Sequence, residues 1–238
     1  MSVRPLVRWT VGNTNKLGMD CLGRSVRAWR RLYREQFDMA ICHNNMTERQ
    51  LAELLKLDVE LIDQHGFTDR LTLKPPRRRN PCWKLYPPRL RPDAHEIIID
   101  NDVLLRRHLP AVEELLVRNQ MFVTEGIFRS YGQFEAVVPD NIKINTGMYG
   151  LPPGYDLGGK VNGVLKSGLI QKWEGHLDEQ GLLASVFAKD GAKMARLSDI
   201  SVLDPRLPYG MGKCGAHFVG LNNGYSDRWL NYLSLNLL

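Results

Sequence analysis

The 238-residue chain has few cysteines, no long apolar run and no recognisable nucleic-acid-binding motif. Its four cysteines are scattered without a Cys-x-x-Cys pair, which argues against a zinc site and against a disulfide framework. No apolar run approaches the roughly 20 residues that cross a bilayer. The N-terminal residues include arginines but lack the sustained apolar core of a signal peptide. We therefore expect a cytoplasmic protein with reduced thiols.

Positive charge is concentrated in one stretch. The formal net charge is +6, and residues 74–92 contain seven basic residues and no acidic one, so the rest of the chain is close to neutral. The same stretch holds six prolines, which exclude a helix or a central strand there. We expect an insertion or a covering loop. It could contact phosphates, an anionic membrane surface or nucleic acid, and a cytoplasmic protein could thereby lie peripherally at a membrane.

Short apolar strands alternate with amphipathic helices, which is typical of an α/β fold. Residues 6–11 predict a strand, and apolar residues at positions 22, 26, 29 and 33 predict a helix after it. Thr47 and Gln50 fit a capping box that opens another helix. Further strands are predicted at 37–42, 121–124, 142–151 and 200–203, helices at 110–118 and 182–187, a turn-rich link at 152–159, and a helical tail at 226–238.

An acidic pair follows the most apolar predicted strand. Three consecutive isoleucines precede Asp100, Asn101 and Asp102, and such a run is typical of a central parallel strand buried on both faces. Because side chains alternate along an extended chain, Asp100 and Asp102 would face one spot, with Asn101 turned away. Two adjacent carboxylates repel each other unless a cation lies between them, and a divalent ion with oxygen ligands fits. The alternative is a solvated turn or a helix cap.

The order of five motifs resembles the retaining family of A-type (GT-A) glycosyltransferases that includes glycogenin and bacterial lipopolysaccharide galactosyl- and glucosyltransferases. The aspartate-x-aspartate of that family resembles residues 100–102, and the lysine before its strand resembles Lys84. Its asparagine-serine-glycine strand resembles residues 145–147. Its acidic-glutamine motif resembles residues 178–180, with an additional glutamate, and its histidine-phenylalanine-x-glycine resembles residues 217–220.

The resemblance implies an α/β fold, with residues 1–238 forming a single Rossmann-like nucleotide-diphospho-sugar transferase (GT-A) domain around a mixed, mainly parallel central sheet. It also implies transfer of a hexose from a UDP-sugar to a hydroxyl of a glycan or another acceptor, with retention favoured. Asp100, Asp102 and His217 would hold Mn²⁺ or Mg²⁺, and the mixed oxygen and imidazole ligands favour manganese. The catalytic residues would be Asp178, Asn145 and Gln180. The donor-binding residues would be Val11, Gly12, Asn13, Asn15, Lys84, Asp100, Asn101, Gly147, Lys213 and Gly220.

Several alternatives remain open at this point. Inversion would need a carboxylate base, for which Asp178 or Glu179 is available. Asn223 stands where the family usually has a lysine that contacts the diphosphate, so Lys213 or an arginine of residues 74–92 would have to replace it. A catalytically degenerate protein could instead bind nucleic acid or an anionic surface through residues 74–92. A nucleotidyltransferase also uses carboxylates on an α/β sheet, but its glycine-rich basic signature is missing near the N-terminus.

Overall fold

The chain forms a large and a small β-sheet with helices packed on the larger one, in a computed structural model that describes residues 3–76, 81–204 and 210–220. The strands are β1 (Leu6–Val11), β2 (Asp38–His43), β3 (Glu60–Asp63), β4 (Glu96–Asp100), β5 (Val103–Leu105), β6 (Phe122–Glu125), β7 (Ile144–Leu151), β8 (Lys193–Ala195), β9 (Ile200–Leu203) and β10 (Gly215–Phe218). The α-helices are α1 (Lys16–Tyr33), α2 (Glu48–Leu55), α3 (Pro110–Arg118), α4 (Leu157–Lys166) and α5 (Asp178–Lys189).

The large sheet has the strand order β3-β2-β1-β4-β7-β6-β8. Its parallel part runs from β3 to β4, whereas β7 is antiparallel to both of its neighbours, β4 and β6. Strand β8 is again parallel to β6. The small sheet has the order β5-β10-β9, with β10 antiparallel to β5 and parallel to β9. The predicted α/β class with a mixed, mainly parallel central sheet is therefore confirmed.

Strand β4 lies between two apolar cores, as its isoleucine run predicted. Ile97 and Ile99 pack in one core with the buried face of α1, and Ile98 packs in the other with buried residues of α4 and α5. All three isoleucines are at most 1% exposed. Because side chains alternate along a strand, a run that is apolar at every position can only be satisfied by cores on both faces of the sheet. Strand β4 is thus a central strand of the large sheet.

Local sequence signals account for the helix ends. The Asn15 side chain accepts a hydrogen bond from the Gly18 amide at 2.8 Å and caps α1. Thr47 and Gln50 form the predicted capping box of α2. Helix α3 begins at Pro110, as predicted, and its C-terminus is capped by Asn119 with a left-handed φ of 54°. In each case a side chain or a permissive residue satisfies backbone groups that the helix leaves unpaired.

Residues 81–92 form a covering segment that is anchored in the protein interior. Trp83 and Tyr86 belong to the core, and Arg8 of β1 forms a fully buried ion pair with Glu96 at 2.6 Å. The Arg8 guanidinium also donates to the carbonyl oxygens of Pro87 and Pro88, at 3.0 Å each. These contacts hold the segment against the end of the sheet that carries the start of β4.

Four of the seven basic residues in 74–92 lie in the described part of the chain, and each has an acidic partner within it. The partners are Asp69 for Lys74, Asp100 for Lys84, Glu96 for Arg89 and Asp38 for Arg91. Residues Arg77, Arg78 and Arg79 lie outside the described residues. The basic residues in the described part of this segment are therefore paired with carboxylates of the same protein. This pairing weakens the alternative that the segment binds nucleic acid or an anionic surface.

The predicted turn-rich link at 152–159 was wrong at its end, and the helix predicted at 182–187 extends further in both directions. Helix α4 begins at Leu157, inside the stretch predicted as a turn-rich link, because Asp156 caps it by accepting from the Gly159 amide at 2.8 Å. Helix α5 begins at Asp178, four residues before the predicted apolar stretch. Residue Asn223 and the predicted tail at 226–238 lie outside the described residues. Among the described helices, none is both long and apolar enough to cross a membrane.

Candidate metal centre

Three potential metal ligands meet where the large sheet passes into the small one. Asp100 ends β4, and a turn at residues 101–102 leads directly into β5. Strand β10 pairs with β5 so that His217 lies opposite Val103, and the Phe218 amide donates to the Asp102 carbonyl oxygen at 2.9 Å. The pairing of these two short strands therefore brings His217 beside the acidic pair.

Asp100, Asp102 and His217 offer ligand atoms that all lie within 4.8 Å of one another. The His217 Nε2 atom is 3.1 Å from Asp102 Oδ1 and 3.8 Å from Asp100 Oδ2. Asp100 and Asp102 converge because the chain turns between two sheets, not because residues alternate along one strand as predicted. Two carboxylates and one imidazole form a ligand set that suits a divalent cation.

The neighbouring carboxylates favour the protonated form of the imidazole. Burial lowers the pKa of His217, but the carboxylates of Asp102 and Asp100 outweigh burial and raise it above its ordinary value. The protonated ring donates from Nε2 to Asp102 and so balances part of the negative charge of the pair. A metal ion would take the place of this proton, since metal binding requires neutral imidazole.

Asn145 fixes the orientation of the His217 ring. Its Oδ1 atom accepts a hydrogen bond from the Gly147 amide at 2.9 Å and lies 2.8 Å from His217 Nδ1. A backbone amide can only donate, so this Asn145 atom is an acceptor and His217 Nδ1 must carry a hydrogen. The Nε2 atom is then the one that faces the carboxylates, as in metal sites where the second ring nitrogen donates to a neighbouring oxygen.

Gly147 is needed because the imidazole lies directly above it. A Cβ atom at this position would be 2.3 Å from His217 Nδ1 and 2.8 Å from Asn145 Oδ1.

The register between β6 and β7 shifts between Val123 and Thr124, leaving residues 146–148 as a bulge opposite β6. Bulges often re-aim groups beside active sites, and this one turns the Thr146 carbonyl oxygen towards Lys84.

Replacing Asn145 with alanine is expected to weaken Mn²⁺ binding by about 10- to 100-fold, the usual effect of losing the partner of a metal-binding histidine. Without the Oδ1 acceptor, the His217 ring loses the hydrogen bond that directs Nε2 towards Asp102. Calorimetric titration with Mn²⁺ measures the change. The matched Asn145→Asp variant keeps an acceptor oxygen for His217 Nδ1. It should therefore bind Mn²⁺ more tightly than Asn145→Ala does. Equal affinities of native protein and Asn145→Ala would contradict this role.

Lys84 is a buried cation next to the candidate metal site. Its ammonium group is 2.9 Å from Asp100 Oδ1 and 3.4 Å from Glu179 Oε1, and it donates to the Thr146 carbonyl oxygen at 3.0 Å. Burial lowers the pKa of Lys84, but Asp100 and Glu179 outweigh burial and raise it above its ordinary value, so the group stays charged. Lys84 therefore places a fixed positive charge between Asp100, a candidate metal ligand, and α5.

Glu179 is the buried carboxyl group of this network. Burial raises its pKa most, Lys84 lowers it, Asp100 raises it again, and the resulting pKa is about 7. The Thr146 hydroxyl donates to Glu179 Oε2 at 3.3 Å. The next residue, Gln180, donates from its amide to the Ser130 carbonyl oxygen at 2.9 Å. Together, Glu179 and Gln180 connect α5 to β7 and to the loop after β6.

The elevated pKa of Glu179 predicts a pH dependence of stability in metal-free protein. Because the folded state binds this proton more tightly than the unfolded chain, the free energy of unfolding should fall as pH rises from about 4.5 to about 7. The Glu179→Gln variant should lack this loss and be more stable above pH 7, by up to about 3 kcal/mol. Urea unfolding in EDTA at several pH values measures the difference. The exposed control Glu174→Gln should keep the native slope, and identical slopes for all three proteins would contradict the assignment.

A cavity of about 610 Å³ opens in front of these groups. It is lined by the three potential ligands and by predicted donor-binding or catalytic residues from several elements. Those residues are Lys84, Asn145, Gly147, Gln180 and Gly220. The structure thus brings together side chains that are far apart in the sequence, at the carboxyl end of β4 where ligands bind in open α/β sheets.

Asp178 does not line this cavity. It is 1% exposed, and its carboxylate accepts hydrogen bonds from the backbone amides of Gln133, Glu174 and Gly175 at 2.7–3.0 Å. These donors outweigh burial, which alone would raise the pKa, and the pKa of Asp178 is lowered. Asp178 therefore ties together the loops before α5, and its predicted catalytic role stays a prediction that this geometry does not favour. Glu179 is the acidic residue of the motif that faces the cavity.

The predicted nucleoside-binding loop lies at the same edge of the sheet but outside the cavity lining. Val11 is buried, Asn15 caps α1, and Asn13 accepts a hydrogen bond from the Gln50 side chain at 3.2 Å. Gly12 does not line the cavity either. Asn101 points away from it, as predicted, and donates to the Gly18 carbonyl oxygen at 3.1 Å. Lys213 is exposed and also lies outside the cavity lining. Donor binding by these residues stays a prediction.

Sequence reasoning missed several residues of the cavity wall. The loop at residues 126–130 contributes Phe128, which is 51% exposed, and His176 lies on the stretch before α5. Asp204 follows β9 and is 8% exposed. An acidic residue directly after an apolar strand is the same signal that identified Asp100, so Asp204 was detectable. The loop at 126–130 carries no comparable signal.

No protein-family model and no curated protein matches this chain, but solved structures match its fold. The apo structure of the bifunctional glycosyltransferase WbbM superimposes with a TM-score of 0.67 and 13% identity over 92% of this chain, which spans 46% of that protein. The galactosyltransferase LgtC, in complex with donor and acceptor sugar analogs, superimposes with a TM-score of 0.59 and 14% identity over 96% of this chain and 95% of LgtC.

A third similar structure contains a bound metal. It is the glucosyl-3-phosphoglycerate synthase of Mycobacterium tuberculosis in complex with Mn²⁺, UDP-glucose and glycerol 3-phosphate. Its TM-score is 0.51 at 14% identity, over 81% of this chain and 69% of the synthase. At such identities a structural likeness establishes the fold alone. The fold of this chain is therefore that of the GT-A glycosyltransferases, as the order of its motifs predicted.

Proposed function

We propose that this protein is a metal-dependent glycosyltransferase that moves a hexose from a UDP-sugar to a hydroxyl group of a glycan or another acceptor. The observation that carries the proposal is the convergence of Asp100, Asp102 and His217 in a cavity at the carboxyl end of β4. Structures of the same fold contain donor and acceptor sugar analogs, or Mn²⁺ with UDP-glucose. The fold and the ligand set therefore support the same chemistry.

The residues fit a divalent cation, and manganese is the proposed metal. Two carboxylates, one imidazole oriented by Asn145 and an open cavity in front of them form an incomplete ligand shell with room for phosphate oxygens. The mixture of oxygen and nitrogen ligands favours Mn²⁺ over Mg²⁺. When bound, the cation supplies Lewis-acid stabilisation of the negative charge that grows on the UDP leaving group.

Lys84 and the residues of α5 would orient the reactants. Lys84 presents a buried positive charge 2.9 Å from Asp100, which would strengthen the attraction of the site for a diphosphate. Gln180 lines the cavity between Thr146 and Ser130, where its amide can contact sugar hydroxyls. Such contacts hold the donor in one position relative to the acceptor, which is a large part of the rate enhancement in transfer reactions.

Retention of the anomeric configuration is the proposed stereochemical outcome. Inversion requires a carboxylate free to accept the acceptor proton. The two candidates in α5 are engaged: Asp178 accepts several backbone hydrogen bonds, and Glu179 is 2% exposed and lies beside Lys84. This arrangement favours attack from the same face as the leaving phosphate, whose oxygen can accept the proton. Product anomers resolved by NMR would test the proposal.

A thermal-shift panel of UDP-sugars with Mn²⁺ tests the function. Native protein should show a higher melting temperature with UDP-glucose or UDP-galactose plus Mn²⁺ than with either component alone, because the diphosphate and the metal bind together. EDTA should abolish the shift. Release of UDP would then be measured with candidate acceptors. Absence of any metal-dependent shift with UDP, UDP-sugars or other nucleotides would overturn the proposed function.

We also propose a cytoplasmic setting. All four cysteines are free thiols buried in the fold, at positions 21, 42, 82 and 214. Reduced thiols of this kind are typical of proteins in a reducing compartment. Fractionation of the native host cells would test the proposal.

A further inference from the structure

The outer face of α1 carries a stripe of exposed arginines. Arg24, Arg27 and Arg31 follow one another at intervals of three or four residues, so they project from the same side of the helix, and Arg34 follows at its C-cap. All four are exposed, and no carboxylate of the described residues forms an ion pair with any of them. Lys16 continues the stripe at the first turn of α1, and Asp20 is the one acidic side chain within it.

The stripe continues into a groove between α1 and α2. The groove has a volume of about 760 Å³ and is lined by Lys16 and Arg27 from α1 and by Arg49 and Lys56 from α2 or its end. Its acidic residues are Asp20 and Glu53, of which Glu53 pairs with Lys56 at 2.6 Å. Positive charge therefore exceeds negative charge in the groove as well as along the stripe.

We infer that this basic face, defined as the α1 stripe with the adjoining groove, docks onto an anionic lipid membrane surface. The exposed face of an 18-residue helix presents its charges along a nearly straight line of about 27 Å, which matches a flat surface that carries many negative headgroups.

A membrane explains this face better than nucleic acid does. Binding of single-stranded nucleic acid relies on exposed aromatic side chains that stack with bases, whereas the aromatic residues of α1, Trp29 and Tyr33, are each 1% exposed. Asp20 and Glu53 interrupt the positive charges of the groove, so a single nucleic-acid strand lying there would meet both signs of charge. A lipid surface needs neither stacking nor a groove free of acids, because its charge is spread in two dimensions.

The start of α1 lies near the candidate metal centre. Helix α1 begins immediately after β1, at the edge of the sheet where Asp100 lies opposite Thr10. The Asn101 side chain, between the two candidate metal ligands, donates to the Gly18 carbonyl oxygen in the first turn of α1. The N-terminal end of the basic face therefore lies at the sheet edge that carries the candidate metal centre.

Co-sedimentation with vesicles tests the inference. Native protein should bind mixed phosphatidylcholine–phosphatidylglycerol vesicles in a salt-sensitive way and should not bind pure phosphatidylcholine vesicles. The triple variant Arg24→Gln, Arg27→Gln, Arg31→Gln should have a vesicle partition coefficient on the order of 100-fold lower. Each basic residue near an anionic surface raises the partition coefficient by a similar factor, so the three losses multiply. None of these side chains contacts the candidate metal centre, so Mn²⁺ binding and thermal stability should stay native.

The matched control removes the same charge elsewhere. Arg118, Lys166 and Lys189 are exposed and stand in the last turns of three other helices. The control variant Arg118→Gln, Lys166→Gln, Lys189→Gln should bind anionic vesicles nearly as well as native protein. Equal losses in both variants, no loss in the α1 variant, or binding of RNA without binding of anionic vesicles would each overturn the inference. The readout needs no catalytic activity, so its failure is distinct from failure of the proposed function.

Discussion

Replacing Asp102 with asparagine should reduce metal-dependent transfer by on the order of 1000-fold, since a Lewis-acid metal contributes several kcal/mol to stabilising the leaving charge. Asp102 Oδ1 lies 3.1 Å from His217 Nε2, so it is the carboxylate closest to the candidate imidazole ligand. The amide that replaces it has the same size but no charge, and its oxygen is a weaker ligand for a hard cation. Mn²⁺ titration and UDP release measure the two losses in parallel.

The control for this variant is Asp93→Asn, which makes the same chemical change at an exposed position before β4. It should retain native metal affinity and activity. In EDTA, Asp102→Asn should unfold at nearly the native denaturant concentration, because removing one of several clustered carboxylates relieves repulsion while weakening one ion pair. A variant that binds Mn²⁺ as tightly as native protein would show that Asp102 is no ligand. A variant that unfolds early would instead show a structural role.

The largest loss of stability is expected from Arg8→Met, at about 3–5 kcal/mol of unfolding free energy. Arg8 and Glu96 are both 0% exposed and pair at 2.6 Å. Removing the guanidinium leaves the Glu96 carboxylate buried without its main partner and deprives the carbonyl oxygens of Pro87 and Pro88 of their donor. Burying a charge without a partner is far more costly than losing the pair's attraction. Urea unfolding followed by circular dichroism measures the effect.

A surface ion pair provides the control for Arg8. Arg4 pairs with Asp38 at 3.2 Å with 56% and 33% of the side chains exposed, so Arg4→Met should cost less than about 1 kcal/mol. The double variant Arg8→Met, Glu96→Gln should recover part of the loss because the buried carboxylate is no longer charged, and comparison with the single Glu96→Gln variant gives the coupling energy. If Arg8→Met and Arg4→Met are equally mild, the buried pair does not stabilise the fold as argued.

The acidic pair and its strand were predictable from local sequence, since an isoleucine run followed by two aspartates combines burial with charge within the six residues 97–102. The position of His217 beside this pair could not be predicted from local sequence. Its position depends on β10 pairing with β5, and such long-range pairing leaves no periodic signal in the four residues of β10. Only the resemblance of residues 217–220 to a family motif identified the imidazole. The geometric reason given for the meeting of Asp100 and Asp102 was wrong, because a turn replaces the expected alternation.

Strand and helix positions were predicted best where one amphipathic or apolar pattern decided them, as in β1, β9 and α3. Arg8 shows what such patterns leave out. It stands in the middle of an otherwise apolar strand, and nothing nearby reveals that Glu96, on a neighbouring strand, will pair with it. The covering segment was likewise recognised by its prolines, but the internal use of its cations depends on partners distant in the sequence.

The two-sheet origin of the candidate ligands has a consequence for the order of events during synthesis on the ribosome. Asp100 and Asp102 are synthesised well before β10, the partner strand of β5, which begins at Gly215. The nascent chain therefore carries the two carboxylates without His217 until nearly all of the described chain has been made. A cation that needs all three candidate ligands could therefore bind only after the small sheet is complete.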